Sequence, residues 1–553
     1  TAEGRIDDRD LRTASADTLI NATEIQLAVV DKETGEWFKS VEVGVDNDQK
    51  LFYAKSSGVE NTSMSDPYVI WTQWTDWRGL GTGGSDTFVL QEFIDGAGLV
   101  IDPYEYGLDV SDTWGRVDLG AGNDVLDASE VNGNGFEIVD GDGSDTYLGS
   151  ASAYETLVYT SAPEAVIIDA FEGIAYDGRG GVDSVSNIDQ FRLTSGGDIF
   201  RASYTERTDV VGMAGDDIII GAGNAVWSTV RYDQEHFDTN YEDGFGVVVN
   251  LSSSNISYIQ QGLNGDLEGG IVEAYTAKDT FRDTDTFAVN DFGERVENVY
   301  GSRYHNDVLI GGNEWNSLRG KGGDDYLDGG SGGGDVNYMW DDARDARSDG
   351  SPALETRGII ANLSEYDFTA SDVNRGTGNL FTAYNYTVVP NNRVDELLSG
   401  TVVDAYGYFD TVKNVNKISA TVENDIVFSG NLAMPESTYG TIYSDVDLGA
   451  GNDLLIGDAD TAGAYRRVSY GSAEDVYNYQ PGNYDVPDPS RGLDINLSTD
   501  QLNGAVVAGR IEAAAGDTVQ GFLDNVFGSR TNDGGQGALY DAATMYFEAV
   551  QAD

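Results

Sequence analysis

Asp307 and Asp325 stand 18 residues apart in the stretch HNDVLIGGNEWNSLRGKGGDDYLDGG (305–330), each with a leucine two places on. The chain here divides into nine-residue blocks: SRYHNDVLI (302–310), GGNEWNSLR (311–319), GKGGDDYLD (320–328) and GGSGGGDVN (329–337). The sixth place holds Asp307, Asn316 and Asp325, and the eighth holds Leu309, Leu318 and Leu327. In the fourth block the acid slips one place, to Asp335. This spacing suits cation chemistry. Glycines at the head of a block allow positive φ and close backbone approach. Turn carbonyls can then face a hard cation, which takes six to eight oxygen ligands. The sixth-place Asp adds a charged oxygen, and the eighth-place residue sits on a short strand facing inward. One block is half a coil, so Asp307 and Asp325 should stack on one edge, one rung of roughly 4.8 Å apart. Carboxylates that close repel one another unless a cation lies between them.

The block recurs along the chain. GTGGSDTFV (81–89) offers Gly81, Gly83 and Asp86; LGAGNDVLD (119–127) offers Gly120, Gly122 and Asp124; DGDGSDTYL (140–148) offers Asp140, Asp142 and Asp145. GMAGDDIII (212–220) offers Gly215 and Asp217, LGAGNDLLI (448–456) offers Gly449, Gly451 and Asp453, and the weaker VENDIVF (422–428) offers Asp425. Asn306, Asp307, Gly320, Gly322, Asp325 and Asp335 from the tandem complete the candidate ligand set. Asp124 and Asp145 are 21 residues apart, so NGNG (132–135) must absorb three extra residues. Asp425 and Asp453 are 28 apart and share an edge only if NLAMPESTYG (431–440) loops out. Asn316 and Ala225 break the pattern, so binding is expected to be weak or absent there, and Gly535, where an apolar residue belongs, marks the end of the array.

These blocks resemble the RTX repeat, the glycine-rich nonapeptide G-G-x-G-x-D-x-U-x of secreted bacterial calcium-binding proteins. A longer period accompanies them. Aromatic strands such as VRYD (230–233), VNYMW (336–340) and VSYG (468–471) precede strands ending in Asn-Leu: GFGVVVNLS (244–252), RGIIANLS (357–364) and RGLDINLS (491–498). LVYT (157–160) before AVIIDAF (165–171) reads as a fourth pair, and ERVENVYGSRYHND (294–307) aligns with GFLDNVFGSRTND (521–533). The resemblance covers roughly residues 79–540. It implies multiple bound Ca2+ ions, type I secretion from a Gram-negative bacterium, and folding on contact with external calcium.

Catalytic constellations are scarce. His236 and His305 are the only histidines, H-E-x-x-H is missing, and both histidines are expected on solvated surface. GGSGG (329–333) matches a nucleophile-elbow pattern but falls inside the repeat array rather than on a strand-to-helix turn. Trp71, Trp74 and Trp77 in YVIWTQWTDWRGL (68–80) offer sugar stacking, a core or a subunit contact. No basic groove for an anionic chain is legible among the scattered arginines.

The elements that must hold these turns follow from composition. The 553 residues carry 95 Asp and Glu against 32 Lys and Arg, a net charge of −63. That balance excludes nucleic acid and anionic membranes as partners and favours divalent cations, although complete neutralisation would take roughly 30 of them. Hydrophobic residues make up 40 % and aromatics 11 %, enough for a real core despite the charge. With 70 Gly, 9 Pro and no Cys, turns are built on glycine and no disulfide staples the chain. No apolar run is long enough for a membrane span. The opening TAEGRIDDRD is not a signal peptide, so a removed leader or another export signal is expected.

The expected fold is all-β: tandem calcium-binding parallel β-rolls or a β-helix with inserted loops. Residues 1–78 alternate apolar and polar and read as an N-terminal β domain or cap, sandwich-like in character. The remaining boundaries are 79–230 for a first roll, 231–340 and 341–467 for a second and third, and 468–553 for an incomplete C-terminal unit. The expected role is a structural protein of the bacterial cell surface or extracellular matrix (a surface layer, filament or adhesin), self-associating into an oligomer or polymer. The alternatives are a calcium-stabilised polysaccharide-active enzyme and a sugar-binding adhesion module.

Overall fold

The computed structural model describes residues 115–341, 358–364 and 396–449, with short internal gaps, and isolated strand segments elsewhere. The described chain is nearly all β, built from long parallel sheets as the repeats predict. It divides into two compact units, one of residues 1–230 with 285–296 and the other of residues 231–284 with 297–553. Near the N-terminus the strands Ile25–Val30 and Trp37–Val43 pair antiparallel.

Each unit is built from two sheets whose strands are mostly three to six residues long. In the second unit Val308–Ile310 pairs parallel with Tyr326–Asp328, and Asn316–Arg319 pairs parallel with Gly334–Asn337 on the other sheet. The chain thus alternates between sheets every nine residues. In Val308–Ile310 and Tyr326–Asp328 only the middle side chain is fully buried, whereas all four residues of Asn316–Arg319 are buried. Leu309 and Leu327 from one sheet and Leu318 and Val299 from the other are fully buried. Removing one leaves a hole that a narrow core cannot close by relaxation. Leu327→Ala should therefore lower stability in calcium by about 2–5 kcal/mol, read from denaturant midpoints.

The turns explain the glycines. In LGAGND the second and fourth places, Gly120 and Gly122, have φ of 85° and 134°. The equivalent places of GKGGDD, Lys321 and Gly323, have φ of 70° and 142°. Both left-handed positions recur, so the turn shape is one repeated object.

The Asn-Leu strands interrupt this regularity in the same way each time. Ile167–Asp169 pairs antiparallel with Ile174–Tyr176, which pairs antiparallel with Val182–Ser186. Both outer strands then continue the sheet in parallel, to Ile199–Arg201 and to Thr146–Leu148. In the other unit Ile360–Asn362, Thr401–Val403 and Phe409–Lys413 repeat the arrangement, and Asp494–Asn496, Arg510–Glu512 and Asp517–Gln520 form a further copy. The long stretch between Asn362 and Thr401 lies inside such an excursion, and the flanking strands keep their parallel registers to Ile426–Ser429 and Tyr326–Asp328. Across the 28-residue spacing, Ile426–Ser429 and Leu454–Gly457 do pair in register.

Candidate metal centre

The sixth-place aspartates form ladders along the sheet edge, and they are buried rather than solvated. Asp307 and Asp325 occupy consecutive rungs and are 1 % and 2 % exposed. The Asp307 amide donates to Asp325 Oδ1 at 2.7 Å, and the Asp325 amide donates to Asp410 Oδ1 at 3.0 Å. At the start of the ladder the Val247 amide donates to Asp307 Oδ1 at 2.7 Å. The other unit repeats the pattern: Val166 to Asp198 at 2.6 Å, Asp198 to Asp217 at 2.8 Å and Asp217 to Asp285 at 3.3 Å. Each turn also wraps its own carboxylate, as in Ser302 N to Asp307 Oδ2 at 2.7 Å and Thr421 N to Asp425 Oδ2 at 3.0 Å. This is why glycine heads the turn. A Cβ on Gly320 would lie 2.1 Å from Asp325 Oδ2, and one on Gly212 would lie 2.4 Å from Asp217 Oδ2.

A parallel ladder runs one residue earlier. Asn306 Oδ1 accepts the Asp324 amide at 2.8 Å, and Asp324 Oδ1 accepts the Phe409 amide at 2.9 Å. Asn123 and Ser144 do the same in the other unit, at 3.0 Å and then 2.9 Å to Val182. The Asn of the G-N-D turn is thus a ladder residue.

The densest group of acids is Asp140, Asp145 and Asp183, whose carboxylate oxygens all lie within 4.8 Å of one another. All three are buried. The Tyr147 hydroxyl donates to Asp140 at 2.7 Å and to Asp145 at 3.3 Å, and the Tyr159 hydroxyl donates to Asp183 at 3.1 Å. Arg179 lies 3.5 Å from Asp140 and 3.3 Å from Asp142. One guanidinium does not offset three carboxylates. Burial, and next the Asp183 charge, push Asp140 up to about 9. Burial pushes Asp183 up to about 6 and raises Asp145 as well. In the other unit burial drives Asp307 and Asp325 far above the usual carboxylate range, although amides bond both. Bonding to amides favours the charged form, but desolvation outweighs it. An oxygen-only cluster without nitrogen or sulfur donors suits a hard cation such as Ca2+ or Mg2+.

Of the residues singled out by sequence, Asp145 stacks in register with Asp124 and joins the cluster with Asp140. Asp142 points outward, its side chain 71 % exposed, and pairs with Arg179. Asp217 and Asp425 sit buried in their ladders. Asp335 lies within the strand Gly334–Asn337, opposite Ser317, and contacts Ser419 at 3.1 Å and Lys417 at 3.7 Å. It therefore occupies no glycine turn. Asn316 bonds backbone in place of an acid, taking the Gly312 amide at 2.7 Å and giving to the Glu297 carbonyl at 3.0 Å. Asp86, Gly81, Gly83, Gly451 and Asp453 lie outside the described residues, as do His236, Trp71, Trp74 and Trp77. His305, expected on the surface, is only 1 % exposed, because its turn packs beneath Gly323. Ser331 sits in the short 3-10 turn Gly330–Gly332 and bonds Asn313, far from elbow geometry.

Asp177, Asp183, Asp404 and Asp410 were not singled out by the nonapeptide, because they lie on the antiparallel excursions. A signal existed: Asp177/Asp183, Asp279/Asp285 and Asp404/Asp410 are each six residues apart, and the second is followed by Ser or Thr. Asp233 is the opposite electrostatic case. Burial alone would raise it, but Arg231 at 2.7 Å, with Lys321 and Arg319, brings it down to about 2. Among the described residues no helix is long and apolar enough to cross a membrane. No family model matches the chain, and no curated protein matches it significantly.

Proposed function

We propose that this is a secreted, calcium-binding structural protein of the RTX type, which folds and assembles at the surface or in the matrix of a Gram-negative bacterium. The observation that supports this reading best is the stacking of buried aspartates in both units, three of them close enough together to share one ion. The fit is chemical: the donors are oxygens, and Asp325 Oδ2 is buried without a hydrogen-bond partner. Asp140, Asp145 and Asp183 would hold an ion in one unit and Asp307 and Asp325 in the other, with turn carbonyls completing the shell. Bound Ca2+ supplies positive charge between rungs, and the chain's own amides orient the carboxylates toward it.

Low cytosolic calcium would leave these acids uncompensated and the chain unfolded for type I export, and external calcium would close the coils. A structural role fits the length of the array. Ile167, Ile174, Tyr176, Val182 and Ile218, between 40 % and 53 % exposed, give one sheet an outward apolar face that a second copy would cover. Electron microscopy of the purified chain before and after calcium addition tests this. Calcium-dependent sheets or filaments are expected, and dispersed monomers at saturating calcium would refute the assembly role.

A further inference from the structure

The antiparallel excursions hold a second kind of acid, distinct from the glycine turns. Asp177 is 1 % exposed. Its Oδ1 accepts the amides of Arg179, Gly180 and Gly181 at 2.9, 2.9 and 2.8 Å, which shapes the hairpin loop. Its Oδ2 is buried and has no hydrogen-bond partner. Asp404, also 1 % exposed, repeats this. Its Oδ1 accepts the amides of Tyr406 at 3.0 Å and Tyr408 at 2.7 Å, and its Oδ2 is buried without a partner. Asp279 is a third instance, with Oδ1 taking the Asp283 amide at 2.7 Å and Oδ2 left over. A loop needs only one of the two oxygens to close. Three loops in one chain leave the other oxygen buried and unpaired, at a cost each time. Recurrence at the same place of the same motif marks a function for that oxygen.

The surroundings of the spare oxygen are also shared. The second acid of the motif accepts the amide of the preceding ladder aspartate, Asp145 to Asp183 at 2.9 Å and Asp325 to Asp410 at 3.0 Å. Its other oxygen takes a buried tyrosine hydroxyl, Tyr159 at 3.1 Å or Tyr338 at 2.8 Å. Asp325 Oδ2, in the same group, is likewise buried without a partner. At Gly181 the space a Cβ would fill is bounded by the Gly143 carbonyl oxygen and, at 2.6 Å, by Asp177 Oδ2. Glycine there keeps a backbone carbonyl and a carboxylate facing one small volume.

We propose that the Asp177/Asp183 and Asp404/Asp410 hairpins each close on a divalent cation, of calcium type, held by both hairpin aspartates and the ladder aspartate of the preceding rung. The ligands are Asp177, Asp183 and Asp145 in one unit and Asp404, Asp410 and Asp325 in the other. The ion ties the excursion, and whatever loop is inserted in it, to the end of the parallel ladder. The proposal deepens the calcium reading above and shares Asp145, Asp183 and Asp325 with it; only Asp177, Asp404 and Asp410 are added, so substitutions at Asp177 and Asp404 let the two fail separately.

Isothermal titration of the full chain with CaCl2 decides between them. Asp177→Asn and Asp404→Asn keep the loop-shaping carbonyl oxygen and remove the charge. Each should lower the number of tightly bound ions by one, whereas wild-type stoichiometry in both variants would overturn the hairpin site and leave the turn sites standing. No calcium uptake by the wild-type chain would overturn both readings. Should a variant not fold, crystals of the wild-type chain grown with MnCl2 give the answer from anomalous density. A peak about 2.4 Å from Asp177 and Asp183 is expected, and peaks confined to the glycine turns would overturn the proposal.

Discussion

Chelation of divalent cations at neutral pH should unfold this chain, and millimolar calcium should restore it. Without a cation, Asp307, Asp325, Asp404 and Asp410 are buried acids in one unit, each with its protonation equilibrium pushed far upward by burial. Four protons must be taken up near neutrality, or the coil must open to rehydrate the charges. The second course is favoured in a chain of net charge −63, where opening also relieves long-range repulsion. One ion bound only to the folded state, at a thousand times its dissociation constant, contributes about 4 kcal/mol. Two such sites already match the 5–15 kcal/mol that separates a typical folded domain from its unfolded state. Far-ultraviolet circular dichroism and solution scattering with and without chelator check this. A radius of gyration and a strand signal unchanged after exhaustive chelation would rule out calcium as the staple.

The rungs were legible in the sequence because both ends of a nonapeptide obey strong local rules. Glycine is favoured where φ is positive, although Lys321 takes one such place, and each block offers one apolar inward place, so Leu309, Leu318 and Leu327 could be assigned to the core by counting. The direction of the carboxylates could not. Spacing puts Asp307 and Asp325 on one edge, but only the folded turn shows their oxygens drawn inward onto the amide of the preceding rung. The hairpin acids escaped for a different reason. Asp183 and Asp410 enter the ladder from strands that arrive after an antiparallel excursion of variable length, so no fixed period links them to Asp145 and Asp325. Asp335 shows the converse error of counting. A one-place slip moves an acid from the turn into the strand, where its rung neighbours are Ser317 and Lys417 rather than other aspartates. A repeat turn suggests a solvated place for His305, yet the turn that carries it is covered by the next one and the residue is buried.

Stability in chelator should fall as pH rises from about 5 to about 9, the reverse of the behaviour given by salt-bridged carboxylates. The sign follows from the direction of the shifts. Burial raises Asp140 to about 9, Glu155 to about 8, Asp279 to about 7, and Asp183 and Asp335 to about 6. In the unfolded chain all of these titrate near 4. The folded state therefore holds more protons throughout the window, and each group's contribution is complete below about 4 and lost as pH climbs through its folded value. Asp233, lowered to about 2, acts in the opposite sense but only below that window. Calcium should flatten or invert the profile, since it replaces protons on the ladder acids and binds more tightly as they ionise. The folded fraction by circular dichroism at pH 5, 7 and 9, with and without calcium, and urea midpoints wherever the fold persists, measure both curves. A metal-free folded fraction that holds steady or rises to pH 9 would mean the buried acids are ionised without help. Glu155 separates the two causes, because it is raised by burial and by Asp189 and lies outside the proposed ligand set. Glu155→Gln should lessen the alkaline loss whether or not calcium is present. Asp183→Asn should lessen it in chelator while weakening the rescue that calcium gives at pH 9.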